Sequence, residues 1–257
     1  MKKFFVAIFL LVSLIFTGCI GSSEKIIIGV DDEIPPICFH NDEGDLIGFD
    51  VDLIKEAAKR MGVDVEFKPI IWNNKREEIT SGKIDMIWNG LDVTEERKEY
   101  MIFSEPYMDD RQILLVRSGN DKEIYSEGDL ENKRVGVQAG STSSDYLNRD
   151  KNLKKSLGMF KTYPTFVELV SALEYGEIDA LVCDELIARY EMNTKPDKFQ
   201  LIDISIGSIT KVAIGFRKDN AQLRDRVQQI FNSMVADGTA QQISEKWFQA
   251  DLIKHKR

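Results

Sequence analysis

Apolar residues first fall into a short run, Lys25–Val30, that reads as a strand and ends at Asp31-Asp32. Pro35-Pro36 holds the backbone extended after it. Asn41-Asp42-Glu43-Gly44-Asp45 reads as a turn, and Leu46-Ile47-Gly48-Phe49 as the strand that returns from it. Leu53, Ile54, Ala57, Ala58 and Met61 then recur at helical spacing, with Asp50 or Asp52 as the expected cap and Gly62 as the stop. Val63–Ile70 alternates as a strand. This order of strand, turn, strand, helix and strand points to α/β architecture.

The pattern echoes further on. Glu78–Trp88 and Ala172–Val182 each read as a helix end, a Gly stop, a charged residue, Ile-Asp and an apolar strand. Each strand runs into polar residues, Asn89-Gly90-Leu91-Asp92 in one and Asp184-Glu185 in the other. Two similar units about 90 residues apart suggest two lobes of related construction. Open α/β sheets bind ligands beyond the carboxyl ends of their strands, so these polar residues are the ones to watch. Arg134–Val137 reads as another strand, and Gln138-Ala139-Gly140-Ser141-Thr142 opens a helix whose N-terminus suits a carboxylate or simple capping. A strand over Val212–Phe216 follows. Leu223, Val227, Ile230, Phe231 and Met234 line one face of a long helix stopped by Gly238, and Ile243, Trp247 and Phe248 mark a final packing helix.

The N-terminus has a different pattern. Lys2 and Lys3 precede an apolar run from Phe4 to Phe16, too short for an ordinary transmembrane helix and suited to a secretory signal. Leu14-Ile15-Phe16-Thr17-Gly18-Cys19 follows the pattern of a bacterial lipobox, with Cys19 as the lipidated first residue of the mature chain. Residues 1–18 then form the signal peptide and 19–24 a lipidated tether. Their removal takes away two lysines and no acids, moving the net charge from −9 to −11. So acidic a chain argues against a nucleic-acid partner, which needs a basic face. Only two histidines, His40 and His255, and three cysteines are present, which leaves no basis for a His/Cys metal site, and no cofactor motif is found. Cys38 and Cys183 are expected as free thiols, because a bridge between lobes would hinder their movement.

Several motifs occur together: Gly48-Phe49-Asp50-Val51-Asp52-Leu53, Gly82-Lys83-Ile84-Asp85, Thr94-Glu95-Glu96-Arg97, Phe103-Ser104-Glu105-Pro106-Tyr107, Val135-Gly136-Val137 with Gly140-Ser141-Thr142, and Gly215-Phe216-Arg217-Lys218. In order and spacing the chain resembles the bacterial extracellular solute-binding proteins of family 3, which bind polar amino acids for ATP-binding-cassette (ABC) importers. The resemblance implies a type II periplasmic-binding-protein-like fold, two Rossmann-like lobes joined by two crossover strands. It places 25–111 and 209–257 in a discontinuous lobe 1 and 112–208 in lobe 2, with crossings near Gln112–Val116 and Ser208–Val212.

By the same resemblance, Arg97 holds the α-carboxylate of a free amino acid, since a guanidinium meets a carboxylate in two parallel hydrogen bonds. Thr142 and Ser141 complete that end from lobe 2, and Asp184 holds the α-ammonium, aided by Asn89 and Gly90. Asp92 replaces the frequent Ser or Thr of the family. Trp72 flanks the ligand side chain, Ile34 stands where several relatives have an aromatic, and Asp31 and Glu33 fall near the side-chain end. With surplus acid and no second matched cation, arginine or lysine is the favoured ligand, then glutamine or cystine. The expected partners are an ABC permease and the membrane that holds the lipid anchor, and the expected state is a monomer. Two alternatives stay open: a cyclohexadienyl dehydratase-like enzyme on the same fold, and a binding protein that presents its ligand to a chemoreceptor.

Overall fold

The computed structural model describes residues 24–254. The signal segment, Cys19 and its tether to Ser23, and His255 lie outside the described residues. The chain opens with β1 (Lys25–Val30), β2 (Glu33–Ile34), β3 (Cys38–His40), β4 (Leu46–Ile47), α1 (Phe49–Met61) and β5 (Asp64–Pro69). It continues through α2 (Lys75–Thr80), β6 (Met86–Ile87), α3 (Glu95–Lys98) and β7 (Met101–Phe103). β1 pairs in parallel with β5 from Lys25↔Asp64 to Val30↔Pro69. It is apolar on both faces, as a strand covered by helices on either side must be.

A second sheet follows: β8 (Met108–Arg117), β9 (Arg134–Gln138), α4 (Thr142–Arg149), α5 (Lys151–Ser156), β10 (Met159–Tyr163), α6 (Phe166–Glu174), β11 (Ala180–Asp184), α7 (Glu185–Thr194) and β12 (Phe199–Val212). The chain then returns to the first sheet with β13 (Gly215–Arg217) and ends in α8 (Ala221–Ala236) and α9 (Thr239–Phe248). The strand orders are β5-β1-β6-β13-β7 and β10-β9-β11-β8-β12, with β2, β3 and β4 in a small third sheet. Two α/β halves are thus joined by long strands, the type II binding-protein architecture. β8 and β12 run antiparallel from Met108↔Val212 to Arg117↔Phe199, with register shifts between Ile202, Ile206 and Thr210 that bend the pair as it passes between the halves.

Four local expectations change. The strand read over Leu46–Phe49 stops at Ile47, and Phe49 already opens α1. Neither Asp50 nor Asp52 caps α1; Gly48 precedes it without a side-chain cap. Asp50 is fully buried, and Asp52 instead accepts from the Trp247 indole at 2.8 Å. The strand expected over Val212–Phe216 is split, β12 ending at Val212 and β13 starting at Gly215. Gly238 starts α9 in a left-handed conformation, and α8 ends two residues before it. Cys38 and Cys183 are both free and buried.

Candidate functional site

Strand ends assemble the site. Asp31 follows β1, Asn89 and Gly90 follow β6 by way of Trp88, Gln138 ends β9, and Asp184 ends β11. The loop ends are braced from beneath. The Asp31 N–H donates to Asn89 Oδ1 at 2.8 Å, and the Gly90 N–H donates to Asp50 Oδ2 at 2.6 Å. Tyr107 donates its hydroxyl to the same carboxyl at 2.9 Å. Burial pushes the Asp50 carboxyl up to about 7 despite those donors.

Between the halves lies a small cavity. Arg97, Asp92, Asn89, Gly90, Trp72 and Asp31 line it from the first half. Ser141, Thr142 and Asp184 line it from the second, so nine of the ten ligand residues expected from sequence converge. Glu33 is the exception: it is exposed and does not line the cavity, while Ile34 beside it does. Successive side chains of a strand point to opposite faces, so only one of the pair can face inward. Gln138 and Ile187 also line the cavity and were not anticipated.

Arg97 is 2% exposed and sits in α3, where Thr94 caps the turn by accepting from the Arg97 N–H at 3.2 Å. Among the described residues its guanidinium bonds carbonyls and no carboxylate: Nη1 reaches Asp92 O at 2.9 Å, and Nη2 reaches Gly140 O across the cleft at 3.3 Å. Ser141 caps α4 by accepting from Ser144 N–H, and Thr142 is the first residue of that helix. A helix N-terminus offers backbone N–H groups to an anion.

Acid gathers at another edge of the cavity, where Asp92 and Asp184 line it and Asp110, which does not, lies beside them. Carboxylate oxygens of Asp92, Asp110 and Asp184 lie within 4.8 Å of one another. Thr210 donates to Asp92 Oδ1 at 2.7 Å. Gln112 Nε2 donates to Asp110 at 3.1 Å and also to Asp184. Ser143 in turn donates to Gln112 Oε1, which fixes the amide. Burial first, and then the neighbouring carboxylates, push both Asp110 and Asp184 above the usual carboxylate range. Asp110 and Gln112 escaped the sequence reading although a signal existed. They are polar residues two apart on β8, hence on one face, and Arg111 between them turns to Glu185 and Asp203.

The cavity also has a second cation nearby. Lys75 is 6% exposed, donates to Gly140 O at 2.6 Å, and lies 5.1 Å from the centre of the Trp72 ring. Burial, and then the charge of Arg97, lower its ammonium to about 7. The expectation of a single cation here is therefore incomplete. Asp31 is held by Gln138 Nε2 at 2.5 Å from the other half, and burial pushes its carboxyl up to about 6. A larger groove of about 550 Å³ runs along α7 and α9, where Arg111 is already paired with Glu185.

The arrangement can hold a small zwitterion, with a guanidinium and a helix N-terminus for an anionic group and carboxylates for a cationic one. The chain is 31% identical over 230 residues to the L-cystine-binding protein TcyJ of Escherichia coli (strain K12), covering 89% of this chain and 84% of that protein. Its fold matches an ABC uptake transporter substrate-binding protein from Streptococcus pneumoniae with bound histidine at a TM-score of 0.84 and 32% identity, covering 90% of this chain and 95% of that one. An ancestral arginine-binding protein bound to arginine gives a TM-score of 0.82 and 35% identity, covering 88% and 99%. The model of the bacterial extracellular solute-binding proteins, family 3, matches residues 26–250, and the chain belongs to that family.

Proposed function

We propose that this protein captures a free polar L-amino acid between its two lobes and delivers it to an ABC importer. The observation that carries this reading is the charge layout of the cavity. A buried guanidinium bonded only to carbonyls shares a small cavity with the carboxylates of Asp92 and Asp184, beside which Asp110 is buried, and among the described residues none of the three acids has a cation on it. Buried charges of both signs are expensive unless a partner neutralises each, and the two ends of an amino acid do that together. Arg97, Thr142 and Ser141 take the α-carboxylate; Asp184 and Asp92 take the α-ammonium, with Asn89 and Gly90 beside them. Trp72, Ile34 and Asp31 meet the ligand side chain. Lobe 1 comprises 25–111 and 209–257, lobe 2 comprises 112–208, and the lobes close on the ligand as a hinge.

A buried Asp31 favours a cationic side chain, so arginine or lysine comes first, then glutamine or cystine. The relatives point the same way without choosing among these, since they include cystine-binding and arginine-binding proteins. The protein acts as a monomer. Export on the 1–18 signal and lipidation at Cys19 hold it at the outer face of the membrane beside its permease. Calorimetry against the twenty amino acids plus ornithine and cystine tests the reading. Tightest binding of glutamate or aspartate overturns the ligand class, and binding of none overturns the function.

A further inference from the structure

Asp92 and Asp110 are 3% and 8% exposed, and with Asp184 their carboxylate oxygens crowd within 4.8 Å. The groups touching them are neutral: the hydroxyl of Thr210 on β12 and the amide of Gln112 on β8. The cations around them are committed elsewhere. Arg97 on α3 bonds the Asp92 carbonyl, Arg111 turns to Glu185 and Asp203, and Lys211 and Lys254 pair with Asp109. Behind Asp184, burial keeps the Cys183 thiol protonated, and Glu191 on α7 is paired with Lys195. Asp110 and Asp184, so close to each other and to a third carboxylate, with no side-chain cation of the described residues between them, do not both ionise near neutrality. A second observation points to a ligand in the same space: Asn89, 1% exposed, lines the cavity with an amide Nδ2 that has no hydrogen-bond partner among the described residues.

We propose that Asp110 and Asp184 share a proton beside the carboxylate of Asp92, with Asp110 as an additional positioning residue of the ammonium end, and that an arriving ammonium group displaces this proton to solvent. This rests on the reading of the cavity as an amino-acid site. The step balances simply: a carboxyl O–H of the cluster gives its proton to water, and the carboxylate left behind ion-pairs with the R–NH3⁺ that enters. No bond to carbon changes. The proton belongs to the cluster rather than to one acid. The burial of Asp110 on a joining strand then has a purpose: it keeps the cluster electrically mild while the cavity holds no cation, and supplies negative charge when one arrives.

Two other groups that titrate near neutrality border the cavity, Asp31 with its Gln138 partner and Lys75 with its Gly140 partner. The test separates them from the cluster. L-arginine is titrated calorimetrically into the full protein at pH 7 in buffers of different ionisation enthalpy, and the slope of heat against that enthalpy counts protons. The expected result is release of about one proton per ligand. Asp110→Asn, or Asp92→Ser if the first variant does not fold, removes most of that release and keeps measurable binding. Asp31→Asn and Lys75→Gln both retain it. Equal heats in all buffers for the unaltered protein overturn the proposal, as does undiminished release in the Asp110 variant or loss of release in the Lys75 variant. If arginine gives no heat, lysine, glutamine and cystine are run the same way; no heat from any of them removes the amino-acid reading, and the proposal with it.

Discussion

Lys75 and Gly140 meet across the cleft, the lysine Nζ donating to the glycine carbonyl at 2.6 Å. The same carbonyl accepts from Arg97 at 3.3 Å. Two cations of the first half thus close on one carbonyl of the second, at the N-terminus of α4. Gly140 has φ of +73°, and a Cβ added there would lie 2.9 Å from the Asn73 Cα and 3.1 Å from the Lys75 Nζ. Only glycine lets the halves come this near without strain.

Lys75→Met is therefore expected to weaken ligand binding by about 1.5–3 kcal/mol, the usual worth of a hydrogen bond to a charged group. The loss should fall on dissociation, because the bond spans the two halves and parting them breaks it. Gly140→Ala should do the same through steric conflict. Stopped-flow dissociation rates and small-angle scattering of the ligand-bound protein check both. Unchanged dissociation rates in both variants dismiss the contact as a latch.

Arg97→Ala should cost about 2–5 kcal/mol of ligand affinity, the common loss when one partner of a buried charge pair is removed. Arg97→Lys should recover only part of it, since a single ammonium cannot place two parallel hydrogen bonds on a carboxylate. Dissociation constants from calorimetry decide. Full affinity in Arg97→Ala would take the guanidinium out of the site.

Asp50 links pH to stability. Its folded carboxyl is pushed up to about 7 by burial, against about 3.9 in an unfolded chain. The folded state therefore holds the proton more tightly between those values. The stability this confers is complete below about pH 4 and is lost as pH rises to about 7. Asp50→Asn removes the charge, and its single amide oxygen, placed where Oδ2 stands, can still accept from the Gly90 N–H and the Tyr107 hydroxyl. Its stability relative to the unaltered protein should rise by a few kcal/mol from acid to neutral pH, at about 1.4 kcal/mol for each tenfold difference in proton affinity between the folded and unfolded chain. Urea unfolding at pH 4.5 and pH 8 measures the difference, and equal differences at the two values refute the assignment.

The sequence made most of this site readable because strand ends and helix starts are written in local patterns. Asp31, Asn89, Asp184 and Thr142 each sit where an apolar run meets a polar turn, and the sheets bring those turns together. Arg97 was legible through the motif that surrounds it and the Thr94 cap that starts its helix turn. Lys75, Asp110 and Gln112 were not. A lysine at the start of α2 and two polar residues in β8 look like surface positions until the two halves come together over them, and that covering depends on tertiary closure. Glu33 went the other way: two residues from Asp31 in sequence, it is turned outward in β2 next to Ile34.

Asp31 is where the choice of ligand can be read. It is 6% exposed, faces the cavity, and is held by Gln138 Nε2 from the other half. An ionised Asp31 favours a cationic side chain, whereas a protonated one can only share neutral hydrogen bonds. Burial pushes its carboxyl up to about 6. Arginine affinity should therefore fall as pH drops through about 6, and glutamine affinity should change much less. Asp31→Asn should reproduce the low-pH state at pH 7.5, weakening arginine by roughly 10- to 100-fold, the scale of a lost hydrogen bond to charge, while glutamine changes by less than about 3-fold. Calorimetry with both ligands at pH 5 and pH 7.5 distinguishes the cases. Equal losses for the two amino acids would mean that Asp31 organises the closed lobes through Gln138 and does not read the side chain.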